Sequence, residues 1–187
     1  AAEWQAQGEE ILPHTMGLTR LANTAIDGVR GRRAKVIAEV AGFAATDLVC
    51  YRAVTPPELV ACQDAAWRPL LDWMAGLGVR LAVTSGVAPI AQPAAALKTI
   101  GDMVATHDDF PLTALHAASA VGGSAVIALA LAHGEIGAAA AGECATVDDG
   151  WQIERWGDDD EAVARLAAVR AEFAAAARFL ELCRPPP

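Results

Sequence analysis

Apolar residues recur every three or four positions over most of the chain, and that period predicts a mainly α protein, α+β at most. Between residues 15 and 29, Leu18, Leu21, Ala22, Ala25, Ile26 and Val29 form one helical stripe; a second helix over 32–45 turns Val36, Ile37, Val40, Phe43 and Ala44 inward. Residues 48–54 are a short apolar run that suits strand or helix equally. Thr55-Pro56-Pro57-Glu58 reads as a helix start, with Thr55 as cap, and the helix should run to about Ala75, with Pro69 bending it near Trp67. Residues 79–85 alternate loosely and are rich in β-branched side chains, which predicts a strand or extended segment. A lone strand is unstable, so it must pair with the stretch near Leu48 or with a segment preceding the chain.

After Pro93, Leu97, Ile100, Met103 and Val104 share a face. Asp108 and Asp109 then cap one long helix through His133, apolar nearly all round, as expected of a central helix in a multi-helix bundle. Its Gly122-Gly123 pair would admit a close neighbour. Acidic residues 158–161 are read as capping a last helix in which Leu166, Val169, Phe173, Ala176, Leu180 and Cys183 alternate by three and four until the prolines at 185–187.

Composition narrows the function classes. Hydrophobic residues make up 54% and charged residues 20%, which is far from disorder, and fourteen basic against twenty-three acidic side chains give a net charge of −9. Phosphate affinity needs clustered cations, so nucleic acid is not an expected partner; the one basic knot, Arg30, Arg32 and Arg33, reads as a solvated turn. The apolar stretch 117–132 is short of the ~20 residues a bilayer requires and contains two glycines and two serines, so no membrane insertion is expected. Cys50, Cys62, Cys144 and Cys183 lack metal-ligand spacing and read as buried free thiols in a reducing compartment, a cytoplasm or organelle matrix.

No pattern of an activated nucleophile, a phosphate loop or a zinc-binding His-Glu pair is present, so no cofactor and no metal are expected. His107, Asp108, Asp109 and His116 could be metal ligands, but helix-end capping explains the same residues. The acidic residues 158–160 lack the offsets of a calcium loop. The segment from Trp151 to Gly157 (WQIERWG) differs from the rest: two indoles frame Glu154 and Arg155 in a background of alanine, valine and leucine. On a helix Trp151 shares a face with Glu154. Either the pair of tryptophans are core anchors with Glu154 paired to an arginine, or they hold a carboxylate out for a partner.

Four blocks in order, MGLTRLANTAID at 16–27, TDLVCYR at 46–52, AWRPLLDW at 66–73 and WQIERWG at 151–157, resemble the assembly chaperone family of the ATP synthase α subunit. The resemblance implies two parts, a small β-rich portion followed by a helical domain. Residues 1–12 would be the end of the helix linking them, and 13–187 the client-binding domain. It implies a protein that is not an enzyme and that binds the unassembled α subunit, shielding the surface that later meets the β subunit. By motif match the implicated acid falls on Glu154, with Trp151, Arg155 and Trp156 around it. The match also carries over Asn23 and Asp27, and Asp47 and Arg52, in blocks that could equally serve folding. The alanine-rich, lysine-poor composition suggests a bacterial cytoplasmic member, monomeric, whose eukaryotic relatives work in the mitochondrial matrix. The rival from another class is a small-molecule-binding or metabolic enzyme domain using Glu154 with a histidine.

Overall fold

In the computed structural model, which describes residues 2–157 and 160–184, helices dominate in the order the periodicity requires. A short α1 (Ala2–Gln5) is followed by α2 (Gly17–Asn23), α3 (Arg33–Phe43), α4 (Pro57–Gly76), α5 (Ala94–Ala105), α6 (Asp109–Gly122), α7 (Ala125–His133), α8 (Ala138–Ala145), α9 (Val147–Trp156) and α10 (Asp160–Cys183). Two short strands, β1 (Tyr51–Arg52) and β2 (Thr84–Ser85), pair in parallel, so the apolar run after Leu48 is a 3-10 turn and then a strand, and its partner is the extended segment after Val79. Residues 79–83 remain an extended connector.

The centre is α7. Every residue from Ala125 to Leu131 is buried, because a helix apolar on all sides is stable only when other helices surround it. It is packed by α3, α4, α6, α8 and α10. The single long helix expected over 108–133 is two helices: Gly123 adopts φ +60°, a left-handed conformation that ends α6, and Ser124 caps α7 by accepting from the Ile127 amide. Gly122 does admit a close neighbour, the ring of Phe173 on α10, whose Cζ would lie 2.8 Å from an added Cβ.

The stripe over 15–29 is also interrupted. Residues Thr24–Val29 form a π-helical turn, whose wider winding rotates the apolar face. Ala25 and Val29 stay buried while Ile26, expected inside, is 51% exposed. At the fourth helix, the Thr55–Pro56 bond is cis and α4 begins at Pro57 with no side-chain cap, so Thr55 does not have the expected role. The helix continues through Pro69 and buries Trp67, Leu70 and Met74. The expected caps Asp108 and Asp109 behave otherwise too: Asp108 makes no cap hydrogen bond, and Asp109 pairs with Arg33 at 3.0 Å. Arg33 also donates to the carbonyls of Ala105 and His107, so this residue of the basic knot clamps α3 onto the α5–α6 corner, while Arg30 and Arg32 are exposed. The expected cap residues 158 and 159 and the terminal prolines lie outside the described residues.

The N-terminal segment is tied down by one carboxylate. Glu3 accepts from the Leu18 and Thr19 amides and from the Thr19 hydroxyl, which caps the first turn of α2. Burial pulls this carboxyl upward, yet the hydrogen bonds outweigh it and hold its pKa below the ordinary value.

Candidate functional site

The segment with two tryptophans forms α9, an amphipathic helix lying on the surface with no fully buried residue. Its first turn carries Asp148 and Asp149, favourable at the positive end of the helix dipole, and both also anchor it. Gln63 on α4 donates to Asp148 while its carbonyl oxygen accepts from the Ala53 amide, and Arg165 on α10 donates to Asp149 at 2.8 Å. Gly157, at φ +88°, follows the last turn.

Along this helix Trp151 is half-buried and Trp156 is 73% exposed; the two rings meet edge to face with centroids 5.4 Å apart. Neither is the core anchor that one reading of the sequence required. Arg155 lies over the Trp151 ring at 5.8 Å, a cation–π arrangement, rather than pairing with Glu154. Glu154 is exposed and makes no hydrogen bond or ion pair among the described residues.

Trp151 and Glu154 border an open groove of about 750 Å³ between α4, α8, α9 and α10. Its floor is apolar: Pro69, Leu70, Ile136, Val147 and Leu166 line it, with Glu143, Glu154 and Arg170 the charged side chains present. Gly142 makes room for Arg170, whose Cγ would lie 3.3 Å from an added Cβ, so the arginine's stem is packed against α8. Beneath the groove, the Trp67 indole donates to the Cys144 carbonyl at 2.7 Å and joins α4 to α8. The Arg52 guanidinium stacks over Trp67 at 4.9 Å, donates to the Val49 carbonyl, and pairs with Asp64 at 2.8 Å. Arg52 thus supports the floor and offers nothing to a partner.

Asp47 likewise turns inward. It is fully buried and accepts from the Ser124 hydroxyl and from the Val126 and Val49 amides, joining the turn before β1 to the start of α7. Burial pushes its pKa up to about 6, against these hydrogen bonds. Of the two carried-over residues in the 16–27 block, Asn23 and Asp27 are exposed on α2 and its π turn. That element meets α10 through Gly17 against Ala175 and Arg20 against Glu172, a face different from the one carrying Leu166 and Arg170. The structure therefore brings Trp151 and Glu154 together and leaves Asn23 and Asp27 on another side.

No histidine lines the groove that Glu154 borders. His107 and His133 meet edge to face with ring centroids 5.9 Å apart, their Nδ1 atoms against the Met103 and Leu129 carbonyls, and His116 pairs with Glu39. Cys144 and Cys50 are buried and burial pushes both thiols up, Cys50 to about 12, away from the thiolate form. Cys62, expected inside, is exposed at the groove because its position on α4 faces outward. Among the described residues no group of three or more His, Cys, Asp or Glu side chains is placed to hold a metal, and no helix is long and apolar enough to cross a membrane.

A helical scaffold that sets a carboxylate on the rim of an open apolar groove, with an exposed indole on the same helix, has the surface of a protein-binding module. Comparison with known proteins gives the particular family. The family model of the ATP12 chaperone protein matches residues 1–75. The crystal structure of Atp12 from Paracoccus denitrificans is 41% identical, covers 98% of this chain and 79% of that one, and superposes with a TM-score of 0.92. A candidate chaperone from Agrobacterium tumefaciens is 38% identical over 98% of this chain and 69% of its own, with a TM-score of 0.91. The chain belongs to the ATP12 chaperone family.

Proposed function

We propose that this protein is a client-specific chaperone of ATP synthase assembly: it binds the unassembled α subunit of the catalytic sector and holds it from aggregating until the β subunit takes its place. The observation that carries this reading is that α9 leaves the Trp156 ring in water and the Glu154 carboxylate without a partner among the described residues. An indole left in water and a carboxylate left without a counter-charge are both improved by a partner. Glu154, Trp151, Arg155 and Trp156 form the docking patch, and Asn23 and Asp27 a second one on another side of α10. Residues 13–187 form the client-binding domain; the expected linking helix over 1–12 is helical only at Ala2–Gln5 among the described residues. The protein works as a monomer in a bacterial cytoplasm and performs no reaction. The absence of any histidine from the groove that Glu154 borders counts against the rival enzyme reading.

The test is to mix the purified protein with the ATP synthase α subunit under conditions in which that subunit aggregates. A complex by size-exclusion chromatography and suppressed light scattering are expected. Aggregation at the rate seen without the protein, and no complex, would overturn the proposal.

A further inference from the structure

We infer that the groove between α4, α8, α9 and α10 receives a short apolar segment of the protein client that carries a lysine or arginine, and that Glu143 binds this cation together with Glu154. The inference rests on the chaperone reading and adds to it a docking surface, the chemistry of the docked segment, and a residue, Glu143, that the sequence did not single out.

The groove supplies both halves of such recognition. Its floor is apolar and comes from all four helices, so burying a client's aliphatic side chains there removes apolar surface on both partners from water. Its rim is acidic. Glu143 on α8 and Glu154 on the next helix are both exposed, both border the groove, and neither carboxylate has a hydrogen bond or ion pair among the described residues. The cation present, Arg170, has its stem packed against Gly142, and the charged side chains of the lining sum to one net negative charge: two carboxylates against one guanidinium. A purely apolar segment would strip water from these carboxylates without compensation, and an acidic one would be repelled. A basic residue among apolar ones satisfies both the floor and the rim.

Cys62 makes the groove observable, since this exposed thiol is part of its lining whereas Cys144 is buried and Cys183 borders no part of it. In the complex with the α subunit, Cys62 should lose its reactivity toward N-ethylmaleimide, read peptide by peptide by mass spectrometry. Glu143→Gln and Glu154→Gln should each raise Kd about fivefold, and the double variant clearly less than the product of the two, about tenfold, as expected of two carboxylates that share one cation. Ala65→Trp, at an exposed position in the groove wall, should abolish binding while circular dichroism shows an unchanged melt. A complex that forms with Cys62 still reactive and Ala65→Trp still binding would overturn the groove and leave the chaperone reading standing. Cys62 protected in the isolated protein as its concentration rises would mean that a second copy occupies the groove, and would overturn the inference as well. No complex at all would remove the chaperone reading and this inference together.

Discussion

Gly122→Ala is the sharpest test of how α10 is seated, and so of how Leu166 and Arg170 come to form one side of the groove. A Cβ at this position would lie 2.8 Å from the Phe173 Cζ and 3.6 Å from the Ala145 Cβ. Carbon atoms prefer about 3.5–4.0 Å, so the ring must retreat by about 0.7 Å or more, and Phe173 is fully buried with nowhere to go. Overpacking of this kind costs about 1–3 kcal/mol. Against it stands the helix preference for alanine over glycine, at most about 1 kcal/mol and less at the last residue of a helix. The net loss is about 1–2 kcal/mol, which in a chain of this size lowers Tm by about 3–6 °C. Thermal melts by circular dichroism measure it, and a double-mutant cycle with Phe173→Leu locates it. Phe173→Leu destabilises alone by leaving a void, but it should relieve the clash, so the two changes together cost less than their sum. A variant as stable as the parent, or strict additivity in the cycle, would refute the steric account.

Two further outcomes follow from the electrostatics and the surface. Asp47 has a folded pKa of about 6 against an ordinary 3.8, chiefly through burial. A carboxyl whose pKa is raised on folding contributes stability that is fully present below the unfolded value and is lost as pH rises through the folded value, here over about pH 4 to 6 and amounting to about 3 kcal/mol. The parent should therefore lose about 2 kcal/mol of this relative to Asp47→Asn between pH 4.5 and 7.5 in urea unfolding, and a flat difference would show that the hydrogen bonds hold the carboxylate at its ordinary value. Trp156→Ala should change stability by no more than about 0.5 kcal/mol, since its ring is exposed, while client binding measured by calorimetry weakens; a large loss of stability with normal binding would make the residue structural.

Several features were legible without coordinates because they depend on local periodicity. The all-round apolar pattern of residues 125–131 marks α7 as central, the alternation by three and four from Leu166 to Leu180 gives α10 its buried face, and Trp151 and Glu154 share one side of a helix by spacing alone. The parallel pairing of Tyr51–Arg52 with Thr84–Ser85 was open to inference as one of two alternatives. Other features were hidden because the pattern does not change where the geometry does. Apolar residues run on both sides of Gly123, so the break between α6 and α7 leaves periodicity nearly intact, and a π turn moves Ile26 outward without any change in residue type.

The sequence by itself determined that the chain is mainly helical, that the apolar stretch before His133 lies innermost, and that an acidic residue framed by indoles is out of keeping with its background, since each of these follows from neighbours three or four positions apart. Tertiary structure alone decided that Trp156 faces water while Trp151 is half-buried, that Asp47 and Arg52 serve the interior, and that Glu143 and Cys62 share a groove with Glu154. Those relations join residues up to about ninety positions apart, and the packing of four helices against one another, which no local pattern encodes, brings them within reach.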